Sequence, residues 1–146
     1  MDICKLKLTS SLEQGVFSLL CIRAGEKLSQ REIAALLKVS PTAVGKPIKS
    51  LAEKNLVKIE KTKNINFVSF NRDEHKNIEL KRVENLKQVY ISGLSDFLLN
   101  NLPGAAVILF GSYSKGEDVF NSDIDIAVIE RKEKNLEIVK YEKILH

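Results

Sequence analysis

A glycine-serine turn between two apolar segments is the feature that most constrains the fold of this chain. The apolar residues 105–110 lead directly into Gly111 and Ser112, and an alternating segment follows at residues 123–128. Side chains of a strand point to opposite faces in turn, so Asp123 and Asp125 share one face of that segment while apolar side chains occupy the other. The pattern predicts two neighbouring strands, the first of them buried, with a sharp turn after the first.

Two carboxylates on one face of a strand repel each other, so a cation is expected to neutralise them. Mg²⁺ prefers oxygen ligands and usually binds through one or two carboxylates plus phosphate oxygens. Gly111 permits a turn in which backbone N–H groups face an anion, and Ser112 adds a hydroxyl donor at the same place. Taken alone, Asp123 and Asp125 fit a solvated strand face or a strand edge better than a metal site. Together with the turn, they indicate a site for a nucleotide with Mg²⁺ or Mn²⁺.

This segment resembles the minimal nucleotidyltransferases of the DNA polymerase β-like superfamily. Their pattern is an apolar strand, Gly-Ser or Gly-Gly, a spacer, and Asp-x-Asp between apolar residues. Here ten residues separate Ser112 from Asp123. The resemblance implies that Gly111, Ser112 and Lys115 contact a nucleoside triphosphate. It also implies that Asp123 and Asp125 are catalytic and bind the metal ions.

Two features depart from that family. Many members carry Arg where Tyr113 stands, so this position lacks the guanidinium group that could contact phosphate. Active members also have a third Asp or Glu on a later strand, whereas residues 135–145 have helical spacing and no strand follows them. Either the chain is a truncated form or its metal site is incomplete. We therefore expect little or no nucleotide transfer from the 146-residue chain by itself.

The two halves of the chain differ in charge. Residues 1–70 contain twelve Lys or Arg against six Asp or Glu, and residues 71–146 contain eleven against thirteen. The first half therefore suits a polyanion, and the second concentrates acids where cations can bind. This asymmetry favours two modules.

The basic half is predicted to form three helices and a hairpin. Ser10 and Ser29 each open a capping box as the N-cap residue, and Ser40 precedes a proline at the start of a third helix. The third helix is expected to run to residue 55, and residues 56–70 alternate like two strands of a hairpin. The short connection between the second and third helices is typical of a helix-turn-helix.

Three helices followed by a hairpin resemble the winged helix-turn-helix family of DNA-binding proteins. The resemblance implies that the third helix enters the major groove of double-stranded DNA and that the hairpin reaches phosphates. Gly45 and Pro47 lie inside this helix, where proline removes a hydrogen bond and can kink the helix. A solvated basic helix and a protein-binding module are the alternative interpretations. The residues expected at DNA are Ser40, Thr42, Ala43, Lys46, Lys49 and Ser50 in the helix, and Lys61 and Lys63 in the hairpin.

Residues 72–101 predict a long helical stretch that is broken near Ser92 and Gly93. Apolar residues repeat along it at helical spacing. We expect this stripe to pack on the strand that carries Phe110 or on a partner. Its members are Val83, Leu86, Tyr90, Leu94, Phe97 and Leu98.

The sequence as a whole predicts an α+β protein. A winged helix-turn-helix domain is expected in residues 1–71, and a connecting helix with a minimal nucleotidyltransferase α/β domain and a small mixed sheet in residues 72–146. The resemblance implies a nucleoside triphosphate bound with Mg²⁺ and transfer of a nucleotide to an unknown acceptor. The alternative is a transcriptional regulator whose second domain senses a nucleotide or scaffolds a dimer. A homodimer is expected in either case, because symmetric dimers suit twofold DNA sites.

The sequence does not support a membrane-spanning protein or a metal site built from cysteines. No segment has the roughly 18 uninterrupted apolar residues of a membrane span, and no signal peptide precedes the first charged residues. Cys4 and Cys21 lack metal-ligand spacing, and they are expected to be free thiols in the reducing cytoplasm. His75 and His146 are isolated, which argues against a zinc site.

Overall fold

The structure is a computed structural model that describes residues 11–129, and the chain divides into two compact units between Asn77 and Ile78. The predicted boundary at residue 71 stays a prediction. The first unit contains α1 (Leu12–Ile22), β1 (Leu28–Ser29), α2 (Gln30–Leu36), α3 (Pro41–Glu53), β2 (Val57–Lys61) and β3 (Asn66–Phe70). Helix α4 (His75–Ile91) contains the division, and α5 (Leu94–Asn101), β4 (Ala106–Phe110), α6 (Gly111–Lys115) and β5 (Asp125–Ile129) follow in the second unit.

Serine side chains cap α2 and α3 as the sequence predicts. The Ser29 hydroxyl accepts a hydrogen bond from the Glu32 backbone N–H at 3.3 Å, and the Glu32 carboxylate accepts one from the Ser29 N–H at 2.7 Å. This backbone N–H holds the pKa of Glu32 below its ordinary value. The Ser40 hydroxyl accepts from the Ala43 N–H at 3.3 Å. These bonds satisfy N–H groups that the first turn of a helix leaves without partners.

The predicted cap of α1 is wrong by one residue. The N-cap is Ser11, whose hydroxyl accepts from the Gln14 backbone N–H at 3.3 Å, and not Ser10, which lies outside the described residues. Glu13, expected in the capping box, binds Lys54 at 2.5 Å. The hydrogen bond from Lys54 lowers the pKa of Glu13. Glu13 thus forms a charge pair with Lys54, the C-cap residue of α3.

The first unit has an apolar core beneath a small antiparallel sheet. Strand β3 lies between β1 and β2, with Val57 opposite Phe70 and Leu28 opposite Val68. The hairpin of β2 and β3 agrees with the prediction, whereas the two-residue strand β1 was not predicted. Helix α3 continues through Pro47 to Glu53. Side chains that are at most 2% exposed in this core include Val16, Leu20, Ile33, Val44, Leu51 and Val68.

The second unit is centred on α5. Its core consists of Leu94, Leu98 and Leu102, against which Ile124 and Ile126 pack from the segment that leads into β5 and from β5 itself. Strands β4 and β5 pair antiparallel, with Leu109 opposite Ile126 and Phe110 opposite Asp125. The break between α4 and α5 falls at Ser92 and Gly93, as predicted.

Strand β4 is less buried than predicted. Ile108 and Phe110 are 45% and 48% exposed, and Val107 is 39% exposed. Among residues 11–129, β4 pairs only with β5, and this pair reaches the α5 core mainly through Ile126. The apolar run therefore does not become a central, fully covered strand in the described part of the chain.

Helix α4 buries a polar face and exposes an apolar one. Val83 is 66% exposed, Leu86 is 49% exposed and Tyr90 is 61% exposed. The prediction that these three residues pack on the strand of Phe110 is wrong, while packing on a partner stays a prediction. Only Leu94 and Leu98 of the predicted stripe are buried, at 3% and 5% exposure, and both belong to α5. The buried residues of α4 are Asn77, Lys81, Glu84, Asn85 and Gln88.

No helix within residues 11–129 is both long enough and apolar enough to cross a membrane.

Candidate functional site

The end of β4 brings Gly111 against Asp125. Gly111 has a φ of +75°, which L side chains rarely adopt. A Cβ atom on this residue would lie 2.0 Å from Oδ2 of Asp125 and 3.0 Å from its Cγ. The register explains the contact, because Phe110 and Asp125 face each other across the two strands. Two of the predicted site residues are therefore adjacent, and only glycine leaves room for the carboxylate.

Helix α6 begins at this turn and carries Ser112 and Lys115. The N-cap residue is Phe110, which provides no side-chain acceptor for the first N–H groups of the helix. Such N–H groups have no intrahelical partners and can face an anion. Ser112 is half-buried, and Lys115 is exposed in the last turn of α6. The predicted phosphate contacts thus lie on one short element beside Asp125.

Asp123 is exposed and precedes β5 by two residues. Ile124 and Ile126 both pack against the α5 core, so the alternating backbone places Asp123 and Asp125 away from that core. Ser122 shapes the approach: its hydroxyl accepts from the Val119 N–H at 2.9 Å, and its own N–H donates to the Val119 carbonyl at 2.9 Å. A hydrogen-bonded turn at residues 119–122 therefore directly precedes the two aspartates.

Among residues 11–129, the predicted metal ligands are the two carboxylates of Asp123 and Asp125, where the resemblance implies three. Within residues 11–129, no group of three or more His, Cys, Asp or Glu residues could hold a metal ion. The donor set of Asp123 and Asp125 suits one hard cation whose other ligands are phosphate oxygens and water. The predicted tail helix at residues 135–145 lies outside the described residues.

Tyr113, which stands where many similar proteins carry Arg, points into the protein. It is 5% exposed, and its hydroxyl donates to the Asn85 carbonyl at 3.2 Å. Burial raises the pKa of Tyr113 above its ordinary range, and the nearby charges of Asp118 and Glu84 raise it further. The tyrosine is therefore an anchor of α6, and its side chain is not available to a phosphate.

The residues that hold Tyr113 were not predicted from the sequence. Asn85 and Lys81 belong to the buried polar face of α4, and Asp118 follows α6. The signal was a row of polar residues at helical spacing along α4. The amphipathic rule assigns such a polar row to the solvent-exposed face of a helix, so the rule predicts the opposite of the burial seen in α4.

The predicted DNA-contacting residues form an exposed surface on the first unit. Ser40 is exposed at the N-cap of α3, Thr42, Ala43, Lys46 and Lys49 are exposed on the helix, and Ser50 is half-buried. Lys61 and Lys63 are exposed at the hairpin. Within residues 11–77, the lysine ion pairs join Lys27 with Glu60, Lys54 with Glu13, and Lys58 with Asp73. Binding of phosphates by the predicted lysines would therefore break none of these pairs.

Comparison with known families assigns each unit. Residues 16–64 match the family model of the MarR family, and residues 91–146 match the model described as nucleotidyltransferase domain. The predicted order of a winged-helix domain and then a nucleotidyltransferase domain is confirmed, and so is the α+β fold class. No curated protein and no solved structure matches the chain.

Proposed function

We propose that the chain joins two binding functions. The premise is that it carries a MarR-family winged-helix domain followed by a nucleotidyltransferase domain. The first domain binds double-stranded DNA. The second binds a nucleoside triphosphate with Mg²⁺ or Mn²⁺ in a site for nucleotide transfer to an acceptor, although Asp123 and Asp125 alone are expected to support little transfer. The contact between Gly111 and the carboxylate of Asp125 is the observation that carries the second proposal.

The nucleotide site uses the turn for phosphate and the aspartates for the metal ion. Backbone N–H groups at Gly111 and Ser112 and the Ser112 hydroxyl donate to phosphate oxygens. Lys115 adds a positive charge from the exposed end of α6. Asp123 and Asp125 hold the divalent ion, which neutralises charge on the triphosphate and on the departing pyrophosphate when it is bound.

The catalytic role of these residues is mainly to position the triphosphate. Phosphoryl and nucleotidyl transfer depend on alignment and on charge stabilisation more than on covalent help from the protein. Gly111 sets the distance between the phosphate turn and Asp125, because the carboxylate fills the space of the missing side chain. The acceptor hydroxyl would approach from the side of the sheet that carries Asp125.

A non-catalytic regulator is the second candidate function. The number of carboxylate ligands favours this function. Two carboxylates with phosphate oxygens suffice to bind one ion, whereas nucleotide transfer usually employs two ions about 3.5–4 Å apart. In that case the second domain would sense a nucleotide or scaffold a dimer while the first binds DNA. Incubation of the chain with labelled nucleoside triphosphates, Mg²⁺ and candidate acceptors separates the two functions. Turnover that disappears in Asp125→Asn supports the transferase and would contradict the expectation of little or no transfer by this chain.

Titration calorimetry with ATP and Mn²⁺ tests the nucleotide site directly. We expect the wild type to release heat of binding and the Asp123→Asn/Asp125→Asn double variant to release none. Asp96→Asn is the matched control, because Asp96 is an exposed acid on α5 of the same unit. Equal heats for the wild type and the double variant would refute the site.

The remaining proposals concern assembly and location. We propose a homodimer, for which the exposed apolar residues Val83, Leu86 and Tyr90 on α4 offer a contact surface. Sedimentation velocity of the wild type and of Leu86→Glu tests this, and a wild-type monomer at high concentration would refute it.

The buried thiol of Cys21 is in keeping with the reducing cytoplasm, which we propose as the location.

A further inference from the structure

Asn85 of α4 is bonded to Tyr113 of α6 in both directions. Its Nδ2 donates to the Tyr113 carbonyl at 2.8 Å, and its own carbonyl accepts from the Tyr113 hydroxyl at 3.2 Å. The same Nδ2 donates to Oδ1 of Asp118 at 2.6 Å. Both residues of the pair are at most 5% exposed. Reciprocal bonds between two buried residues fix both the distance and the rotation of α6 against α4.

A buried ion pair fixes the orientation of the Asn85 amide. Nζ of Lys81 lies 2.5 Å from Oδ1 of Asp118 and 3.3 Å from Oδ1 of Asn85. The Lys81 side chain is 0% exposed, so its charge must be paired within the protein. Because Lys81 can only donate, it holds the amide oxygen of Asn85 toward itself. The amide nitrogen is then directed to Tyr113 and Asp118.

Gly116 gives α6 a second attachment to α4. It has a φ of +73°, and a Cβ atom there would lie 2.4 Å from the Ile78 carbonyl oxygen and 2.8 Å from the Arg82 nitrogen. The end of α6 therefore abuts the backbone of α4. With Tyr113 and Gly116 both held, the start of α6 at Gly111 has little freedom to move away from Asp125.

We infer that Asn85 is a positioning residue of the nucleotide site. Through Tyr113, it holds the turn at Gly111 and Ser112 next to the Asp125 carboxylate. This inference rests on the proposed nucleotide binding and adds a residue that touches neither phosphate nor metal.

The test compares Asn85→Ala with Gln88→Ala in the full chain. Gln88 is the matched control, because it is a buried amide on the same helix, 3% exposed like Asn85, and donates to Glu84 at 3.1 Å instead of to α6. Thermal unfolding measures the loss of stability in each variant. Amide ¹H–¹⁵N spectra of the free protein report the positions of Gly111 and Ser112, and calorimetry gives the affinity for ATP with Mn²⁺.

We expect both variants to lose stability, and only Asn85→Ala to shift the amide signals of Gly111 and Ser112. Its affinity for ATP should fall about tenfold or more, while Gln88→Ala stays within about threefold of the wild type. Unshifted amide signals in Asn85→Ala, or an unchanged affinity, would overturn the inference. A wild type that binds no ATP would instead overturn the proposed function, and the positioning of a nucleotide site with it.

Tyr113→Phe provides a second variant if Asn85→Ala does not fold. It removes only the hydroxyl that donates to the Asn85 carbonyl and creates no cavity of side-chain size. We expect the same amide signals to shift, by a smaller amount, and the affinity for ATP to fall severalfold. An affinity and a spectrum that match the wild type at Gly111 and Ser112 would count against the inference.

Discussion

The carboxylate of Asp125 occupies the space in which a side chain on residue 111 would lie. Its Oδ2 is 2.0 Å from the position of a Cβ atom on Gly111. The two residues meet because they stand at the paired ends of β4 and β5, where Phe110 faces Asp125. A glycine that directly follows one strand and an aspartate that starts the next are therefore in contact, which gives a physical reason for their joint occurrence in the sequence.

Gly111→Ala should abolish most nucleotide binding. The new methyl group would push the Asp125 carboxylate away, and alanine at a φ of +75° is strained by roughly 1–2 kcal/mol. We expect the affinity for ATP with Mn²⁺ to fall by about tenfold or more in calorimetry. An unchanged affinity would show that the position of Asp125 does not matter for binding.

Gly104→Ala separates the steric effect from the backbone strain. Gly104 has a φ of +82°, yet a Cβ atom there would meet nothing within 4 Å. This variant should lose a similar roughly 1–2 kcal/mol of stability while it keeps wild-type affinity for ATP. Equal losses of affinity in the two alanine variants would assign the effect to strain and not to Asp125.

The two aspartates should differ in importance. Asp125 is half-buried against Gly111, while Asp123 is exposed. A fixed carboxylate loses less conformational entropy when it binds an ion. We therefore expect Asp125→Asn to weaken Mn²⁺-dependent ATP binding more than Asp123→Asn, and removal of the ion with a chelator to weaken it in the wild type. A larger effect of Asp123→Asn in calorimetry would reverse this ranking.

The stability of the second unit should decline in alkali through Tyr113. Burial raises the pKa of Tyr113 above its ordinary value of 10.0. Because the folded pKa is the higher one, the stabilising contribution is fully present below pH 10.0 and is lost as the pH rises toward the folded pKa. Urea unfolding from about pH 8 to about pH 11 measures the slope. Tyr113→Phe should flatten it, and equal slopes would contradict the prediction.

Local signals in the sequence predicted much of the fold and the outline of the site. The serine caps at Ser29 and Ser40, the hairpin, and the turn at Gly111 are each determined by neighbouring residues, so short windows contain the information. The cap at Ser11 was missed because two adjacent serines compete for the same helix start. Strand β1 was missed because two residues are too few for a visible alternation.

Long-range burial could not be read in the same way. Lys81 and Asn85 are buried only because Asp118 and Tyr113, about thirty positions away, supply their partners. The polar row on α4 predicts a solvent face by the usual amphipathic rule, and the apolar row with Val83 and Leu86 predicts a core face. The structure reverses both assignments, since hydrogen bonding can satisfy a buried polar face.

Lys46→Glu and Lys49→Glu should weaken DNA binding by the winged-helix domain. Both lysines are exposed on α3. The ion pairs of Lys27, Lys54 and Lys58 do not involve Lys46 or Lys49. Contacts from lysine to phosphate release counterions, so affinity should fall steeply between about 50 and 200 mM salt. Loss of one such contact should lower the slope of log affinity against log salt by about 1. Fluorescence anisotropy with labelled duplexes measures both quantities.

Lys76→Glu is the matched control for this last experiment. Lys76 is exposed on α4, so the substitution changes the net charge of the chain equally without touching α3 or the hairpin. A general effect of charge would weaken binding alike in all three variants, whereas contact through α3 weakens it more in Lys46→Glu and Lys49→Glu. Binding that does not depend on salt, or no binding to any duplex, would remove DNA from the partners of this protein, because phosphate contacts by lysine are always screened by ions.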